Sequence, residues 1–201
     1  MPWDDFDNVI FDVGNVLVAF DPDAILQELF PVDAAKRALL KNVVFRSPIW
    51  AMLDRGTITR ADAASAMAAL HPEYLEDVRY VLSNWDDLKV TIDEGIRTLK
   101  ACKAHGKKCY VLSNYHDEAF AFVRKKFDFF GLFDGFVVSA DIHLLKPAPE
   151  IFHYLLDKFA LDGARSVFID DTPANIEGAM HCGIEGVCFN ASGVLADFFG
   201  G

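Results

Sequence analysis

Basic charge is what this chain most conspicuously has little of: its 201 residues carry 19 Lys and Arg against 30 Asp and Glu, a formal net charge of −11. Nucleic-acid binders show a basic footprint and anionic lipid repels an acidic surface, so the charge predicts neither a nucleic-acid nor a membrane partner. Long apolar runs are missing as well, none reaching the ~18 residues of a membrane span. The start, Met1-Pro2-Trp3-Asp4-Asp5, is acidic where a secretory leader is basic and then apolar, which predicts a cytoplasmic protein. Cys102, Cys109, Cys182 and Cys188 form neither a C-x-x-C pair nor a zinc spacing, and six histidines include no H-x-x-x-H pair. Reduced thiols and no transition-metal centre follow as expectations.

What is present is one good core's worth of chain, with an apolar fraction of 52%. Asn8 to Val16 is a short apolar run closed by a Gly14-Asn15 turn, and it reads as a buried parallel strand carrying Asp12 at its C-terminal end. An acid there either ends a strand or faces a ligand crevice, and this stretch alone leaves both open.

Helical signals dominate from Asp21-Pro22 to about Trp85. Asp33 can cap Ala34 to Val44, Ser47-Pro48 can open a helix through Leu53, and Ala61 to Leu70 and Glu73 to Leu82 read as two more. One crossover helix would suffice between two parallel strands, so this block reads as an insertion. From Thr91 the rhythm alternates. Thr91-x-x-Glu94 reads as a capping box for a helix to Ala104, with strands at Lys108 to Ser113, Gly135 to Ser139, Ser166 to Asp170 and Val187 to Phe189. The pattern predicts an α/β fold with a doubly wound parallel sheet and an inserted helical cap domain. Its expected division is residues 1–19 and 89–201 for the core and 20–88 for the cap.

Several strands end in polar groups: Asp12, Ser113-Asn114 and Asp170-Asp171, with Lys146 in a loop before a helix. Strand tips of a parallel sheet converge on one crevice, where carboxylates, a hydroxyl and a lysine make a hard-cation site and a phosphate site together. In order and spacing, four segments resemble the haloacid dehalogenase superfamily: Phe11-Asp12-Val13-Gly14-Asn15-Val16, Val111-Leu112-Ser113-Asn114, Lys146-Pro147-x-Pro149-x-Ile151-Phe152 and Phe168-Ile169-Asp170-Asp171-x-x-x-Asn175-Ile176. The subgroup it resembles has a helical cap after the first strand, in a branch that includes sugar-1-phosphate phosphatases.

The resemblance implies Asp12 as a nucleophile forming an aspartyl-phosphate, Mg²⁺ held by Asp12, Asp171 and the Gly14 carbonyl, and phosphoryl oxygens bound by Ser113 and the Asn114 amide. Lys146 would offset charge on nucleophile and phosphate, with Asp170 and Asn175 in support. Most phosphatases of the superfamily carry an Asp acid/base where this chain has Gly14. Asp21 and His116 are the candidate replacements, each with a plain alternative as helix cap or loop residue. Such a group contributes roughly 10²–10⁴-fold in rate. Phe20, Trp50 and Arg55 are the first candidates to line the cap's side of the site, where substrate specificity would be set. The expected activity is Mg²⁺-dependent hydrolysis of a small phosphorylated molecule. The alternatives are a metal-independent 2-haloacid dehalogenase and a weakly catalytic module that binds a phosphometabolite. Oligomeric state is not written in the sequence.

Overall fold

The structure is a computed structural model in which residues 2–190 and 192–199 are described. Five parallel strands, β1 (Asn8–Phe11), β2 (Lys108–Ser113), β3 (Gly135–Val138), β4 (Ser166–Asp170) and β5 (Glu185–Cys188), form one sheet in the order β3-β2-β1-β4-β5. The first strand in sequence is therefore the central one. The helices in chain order are α1 (Pro22–Leu29), α2 (Ala34–Leu40), α3 (Pro48–Asp54), α4 (Arg60–Met67), α5 (Leu75–Asn84), α6 (Asp93–Ala104), α7 (Asp117–Lys126), α8 (Ser139–Ile142), α9 (Pro149–Phe159), α10 (Pro173–His181) and α11 (Val194–Phe199).

Alternation along the strands builds two cores. Val9, Phe11, Val111 and Ile169 point to the face covered by α6, α7 and α11, meeting Leu99, Val123 and Leu195. Ile10, Leu112 and Phe168 point to the other face, against Ile151, Phe152 and Leu155 of α9 and Ala179 of α10. Burial on both faces is why these strands read as continuous apolar runs. Phe11, Phe152 and Phe168 are wholly buried, each worth about 2–3 kcal/mol relative to exposure.

Helices α1 to α5 lie between β1 and β2 and enclose a third apolar cluster, including Leu26, Leu40, Val44, Leu53 and Val81. The two chain passages joining this block to the sheet run side by side. Ala19 donates its N–H to the Val90 carbonyl at 2.8 Å and Ile92 to that of Leu17 at 2.9 Å, around an antiparallel Val18–Thr91 bridge.

Two expectations change. The stretch from Asp33 to Val44 is α-helical only to Leu40 and continues as a π-helical turn over Lys41–Phe45. The capping box at Thr91 does not form, because Thr91 is held in its bridge and Ile92 is the N-cap of α6 without a side-chain bond. Glu94 is drawn elsewhere: its carboxylate accepts from the backbone N–H of Gly193 at 2.9 Å and of Leu195 at 3.1 Å, at the start of α11. Those hydrogen bonds hold the Glu94 carboxyl below its usual range against the opposing effect of burial.

Candidate active site

The tips of β1, β2 and β4 deliver polar groups to the C-terminal edge of the sheet. Asp12 directly follows β1, and its backbone N–H is still bonded to the Ile169 carbonyl at 2.9 Å, so its position is set by the ladder. Its Oδ1 accepts from the Val13 N–H at 2.7 Å and the Ser113 hydroxyl at 2.6 Å, and lies 3.0 Å from Lys146 Nζ.

Lys146 is 1% exposed in its side chain and also donates to Asp170 Oδ2 at 2.6 Å. Asp170 is wholly buried, and its remaining acceptor sites take the Thr172 N–H at 2.8 Å and the Asn175 carboxamide at 3.0 and 3.1 Å. The Asn114 carboxamide clamps the Lys146 backbone from both sides: Lys146 N–H donates to its Oδ1 at 2.9 Å, and its Nδ2 donates to the Lys146 carbonyl at 3.0 Å. Asp171 is half-buried and is held by Asn15 Nδ2 at 3.0 Å and the Thr172 hydroxyl at 3.2 Å. Asn15 itself sits at φ 52°, a left-handed conformation that Asn tolerates better than most residues.

One ammonium thus serves two buried carboxylates. Burial pushes the Asp12 carboxyl up to about 7, and the Asp170 charge adds to this, outweighing the Lys146 and Ser113 contacts that favour ionisation. Burial opposes the charge on Lys146, yet Asp12 and Asp170 together hold its ammonium above its ordinary range. A site with this net negative charge has room for a further cation. Asp12, Asp170 and Asp171 can each present an oxygen within 4.8 Å of the others, an all-oxygen donor set of the kind hard divalent cations take.

These groups open into a cavity of about 300 Å³ between the sheet edge and the helical block, lined by Asp12, Gly14, Ser113, Asn114, Lys146 and Asp171 on the sheet side. Phe20, Trp50, Trp85 and Tyr115 supply an aromatic wall, and Asp54 and Lys89 add two titratable groups. Lys89 Nζ lies 4.3 Å from the Phe20 ring centre and 4.5 Å from that of Trp85, and donates to the Ala19 carbonyl at 3.1 Å. Burial pulls its amine down to about 7 in spite of the Asp86 and Asp54 charges nearby.

A family model for haloacid dehalogenase-like hydrolases matches residues 6–183 of the sequence. The chain belongs to the haloacid dehalogenase-like hydrolases. Among solved structures, this hydrolase is similar to a family enzyme of Bacteroides thetaiotaomicron in complex with magnesium and inorganic phosphate. The match has 22% identity and a TM-score of 0.74, over 93% of this chain and 96% of that one. It is also similar in fold to L-2-haloacid dehalogenase from Xanthobacter autotrophicus with chloropropionic acid covalently bound (14% identity, TM-score 0.68, 95% of this chain and 81% of that one). Two characterised relatives are fungal. Drimenol cyclase drtB of Aspergillus calidoustus is 26% identical over 90% of this chain, which spans only 34% of that protein's length. Sesquiterpene phosphatase astK of Aspergillus oryzae is 24% identical over 90% of this chain and 89% of that protein.

Within the hydrolase, Asp12, Gly14, Ser113, Asn114, Lys146, Asp171 and Asn175 all line the one cavity, and Asp170 lies buried behind Lys146. Phe20 and Trp50 line it too. Arg55 does not: it is exposed beyond the end of α3. Asp21 also stays away, an exposed N-cap of α1 accepting from Asp23 and Ala24 N–H, beside a different groove. His116 is buried against Asp54 and borders a separate groove with Arg60 and Glu118. Sequence reasoning missed Asp54 and Lys89. Asp54 carried one readable signal, an acid at a helix C-terminus where the dipole disfavours negative charge. Lys89 carried none, since only the folded linker puts it between two aromatic rings.

Proposed function

We propose that this hydrolase is a Mg²⁺-dependent phosphomonoesterase acting through an aspartyl-phosphate on Asp12. The observation that carries the reading is the clustering of three carboxylates beside the Ser113 hydroxyl and the buried Lys146. Attack on a haloacid carbon needs no such density of acids, whereas phosphoryl transfer works mainly by positioning and by neutralising charge on the equatorial oxygens. The Ser113 and Val13 hydrogen bonds fix Asp12 Oδ1, leaving Oδ2 as the attacking atom. Lys146, pinned by Asp170 and clamped by Asn114, would meet the phosphoryl oxygens together with Ser113 and the Asn114 backbone N–H. Asp12, Asp171 and the Gly14 carbonyl would hold Mg²⁺, which when bound neutralises charge shared by carboxylate and phosphate.

Residues 20–88 act in this reading as a cap on a core of residues 1–19 and 89–201, excluding water and contacting the leaving group. A cavity of about 300 Å³ lies at the small end of ligand sites, so the substrate is a small ester. The aromatic wall favours a flat or apolar carbon skeleton. Sugar phosphates, as in the sugar-1-phosphate branch the sequence resembles, and terpenoid phosphates, suggested by the sesquiterpene phosphatase relative, are the two classes to compare. A cytoplasmic location fits the acidic surface, and among the described residues no helix is long and apolar enough to cross a membrane.

The test is phosphate release from p-nitrophenyl phosphate, hexose phosphates and a prenyl phosphate, with and without Mg²⁺, by wild type and Asp12→Asn. Mg²⁺-dependent release lost in Asp12→Asn is expected. Halide release from 2-chloropropionate without metal would install the dehalogenase reading instead. Phosphate binding without turnover would make the protein a binding module.

A further inference from the structure

Gly14 leaves open space as well as a missing carboxyl, because a Cβ built there meets no heavy atom within 4 Å. Besides Asp12 and Asp171, one acid lines the cavity among the described residues, and it is Asp54. We propose that Asp54, oriented by His116, is the acid/base group of this site, protonating the leaving oxygen and then activating the water that hydrolyses the acyl phosphate. The inference rests on the phosphatase reading above.

Three observations carry it. The Asp54 side chain keeps 16% exposure and lines the cavity, while His116, at 3%, lies behind it with Nδ1 3.3 Å from Asp54 Oδ1. His116 Nε2 is buried without a hydrogen-bond partner, so the contact to Asp54 is the imidazole's polar anchor. The end of α3 is also seated on the sheet side of the molecule. The Ser139 hydroxyl donates to the Asp54 carbonyl while accepting the Tyr115 N–H at 2.9 Å. His143 Nδ1 lies 2.9 Å from the Arg55 carbonyl, and Gly56, at φ 69°, packs where a Cβ would come within 2.5 Å of the Ala140 carbonyl. Asp54 is therefore registered to the strand tips rather than to the far helices of the inserted block.

The environment favours the protonated, proton-donating form. Burial raises the Asp54 carboxyl above its usual range against the opposing hydrogen bond and charge of His116, and the α3 C-terminus disfavours its ionised form further. Other charged or titratable groups facing this region are Lys89 and Asp86 from the linker after α5, Tyr115 after β2, and Asp12 across the cavity. In the first step Asp12 Oδ2 bonds to phosphorus, the ester P–O bond breaks, and the Asp54 proton goes to the departing oxygen. In the second, Asp54 carboxylate takes a proton from water as that oxygen bonds to phosphorus and the Asp12–phosphorus bond breaks. Asp54 ends protonated and Asp12 ionised, as both began.

The experiment compares kcat/KM for an alkyl phosphate, whose leaving oxygen needs a proton, with that for p-nitrophenyl phosphate, whose leaving group does not. Because kcat/KM reads only steps through phosphoryl transfer to Asp12, the water step does not blur the comparison. Asp54→Asn is expected to lower the alkyl value by about 10²–10⁴-fold and the aryl value by about tenfold at most. The basic limb of the alkyl pH profile, which follows loss of the Asp54 proton, should disappear. His116→Gln, the positioning variant, should move that limb and cut the alkyl rate less than Asp54→Asn does. Equal losses on both esters, or none on either, would overturn the assignment. A folded wild type that releases phosphate from neither ester with Mg²⁺ would overturn the phosphatase reading itself, and this inference with it.

Discussion

Replacing Asp12 with Asn should stabilise the metal-free protein while abolishing turnover. Burial and the neighbouring Asp170 raise the Asp12 carboxyl from 3.8 to about 7. A carboxyl raised on folding costs nothing below its unfolded value, where it is protonated in both states. The penalty grows as pH climbs between the two values and is complete above the folded one. At ~1.4 kcal/mol per unit, the full penalty is about 4 kcal/mol. Asn keeps the shape and can still accept from Ser113, and Lys146 retains Asp170 at 2.6 Å. The lost Asp12–Lys146 contact reduces the gain, leaving about 2–4 kcal/mol. The assay is urea unfolding in EDTA of wild type and Asp12→Asn at pH 4 and pH 8. The two should nearly coincide at pH 4 and separate at pH 8 with Asn the more stable. A constant difference across pH, or a less stable Asn variant at pH 8, would refute the electrostatic picture of the site.

The same balance runs the other way at Lys146: Lys146→Met leaves Asp12 and Asp170 buried without their shared cation and should cost about 3–5 kcal/mol at pH 8 in EDTA, read by the same unfolding curves. Lys89, pulled from 10.5 to about 7, destabilises the fold fully below pH 7 and progressively less up to its unfolded value. Lys89→Met should therefore stabilise by about 3–5 kcal/mol at pH 6 and by little at pH 10.5, measured by thermal or urea unfolding. Asn15→Gly keeps the left-handed backbone but releases Asp171, and should raise the Mg²⁺ concentration for half-maximal activity about 10–100-fold. Asn15→Ala should do the same and lose about 1–2 kcal/mol of stability to backbone strain.

The sheet was legible because its strands obey rules that act over a few residues. Burial on both faces wrote Asn8–Phe11 and Ser166–Asp170 as mostly apolar runs, and polar tips such as Ser113 and Asp170 marked the ends that converge. The polar cluster at the sheet edge was legible for the same reason, since fixed strand order places Asp12, Ser113, Lys146 and Asp171 on one edge. The wall of the cavity was not. Asp54 reaches it through contacts to Ser139 and His116, 85 and 62 residues away, and Lys89 through two rings from different segments. Glu94 shows how local rules fail: a sound capping pattern lost to the bridge at Thr91 and to the unsatisfied N–H groups at the start of α11. Asp21, nearer to Asp12 in sequence than Asp54, stayed a helix cap because that role already satisfies its carboxylate.

In the proposed mechanism Asp12 carries the transferred phosphoryl group. Rapid acid quench of wild type turning over a phosphomonoester with Mg²⁺, followed by peptide mass mapping, tests it most directly. One phosphoryl group is expected on the peptide containing Asp12, absent in EDTA and in Asp12→Asn. Product accumulating with no phosphopeptide, or a phosphoryl group mapped to any other residue, would contradict it.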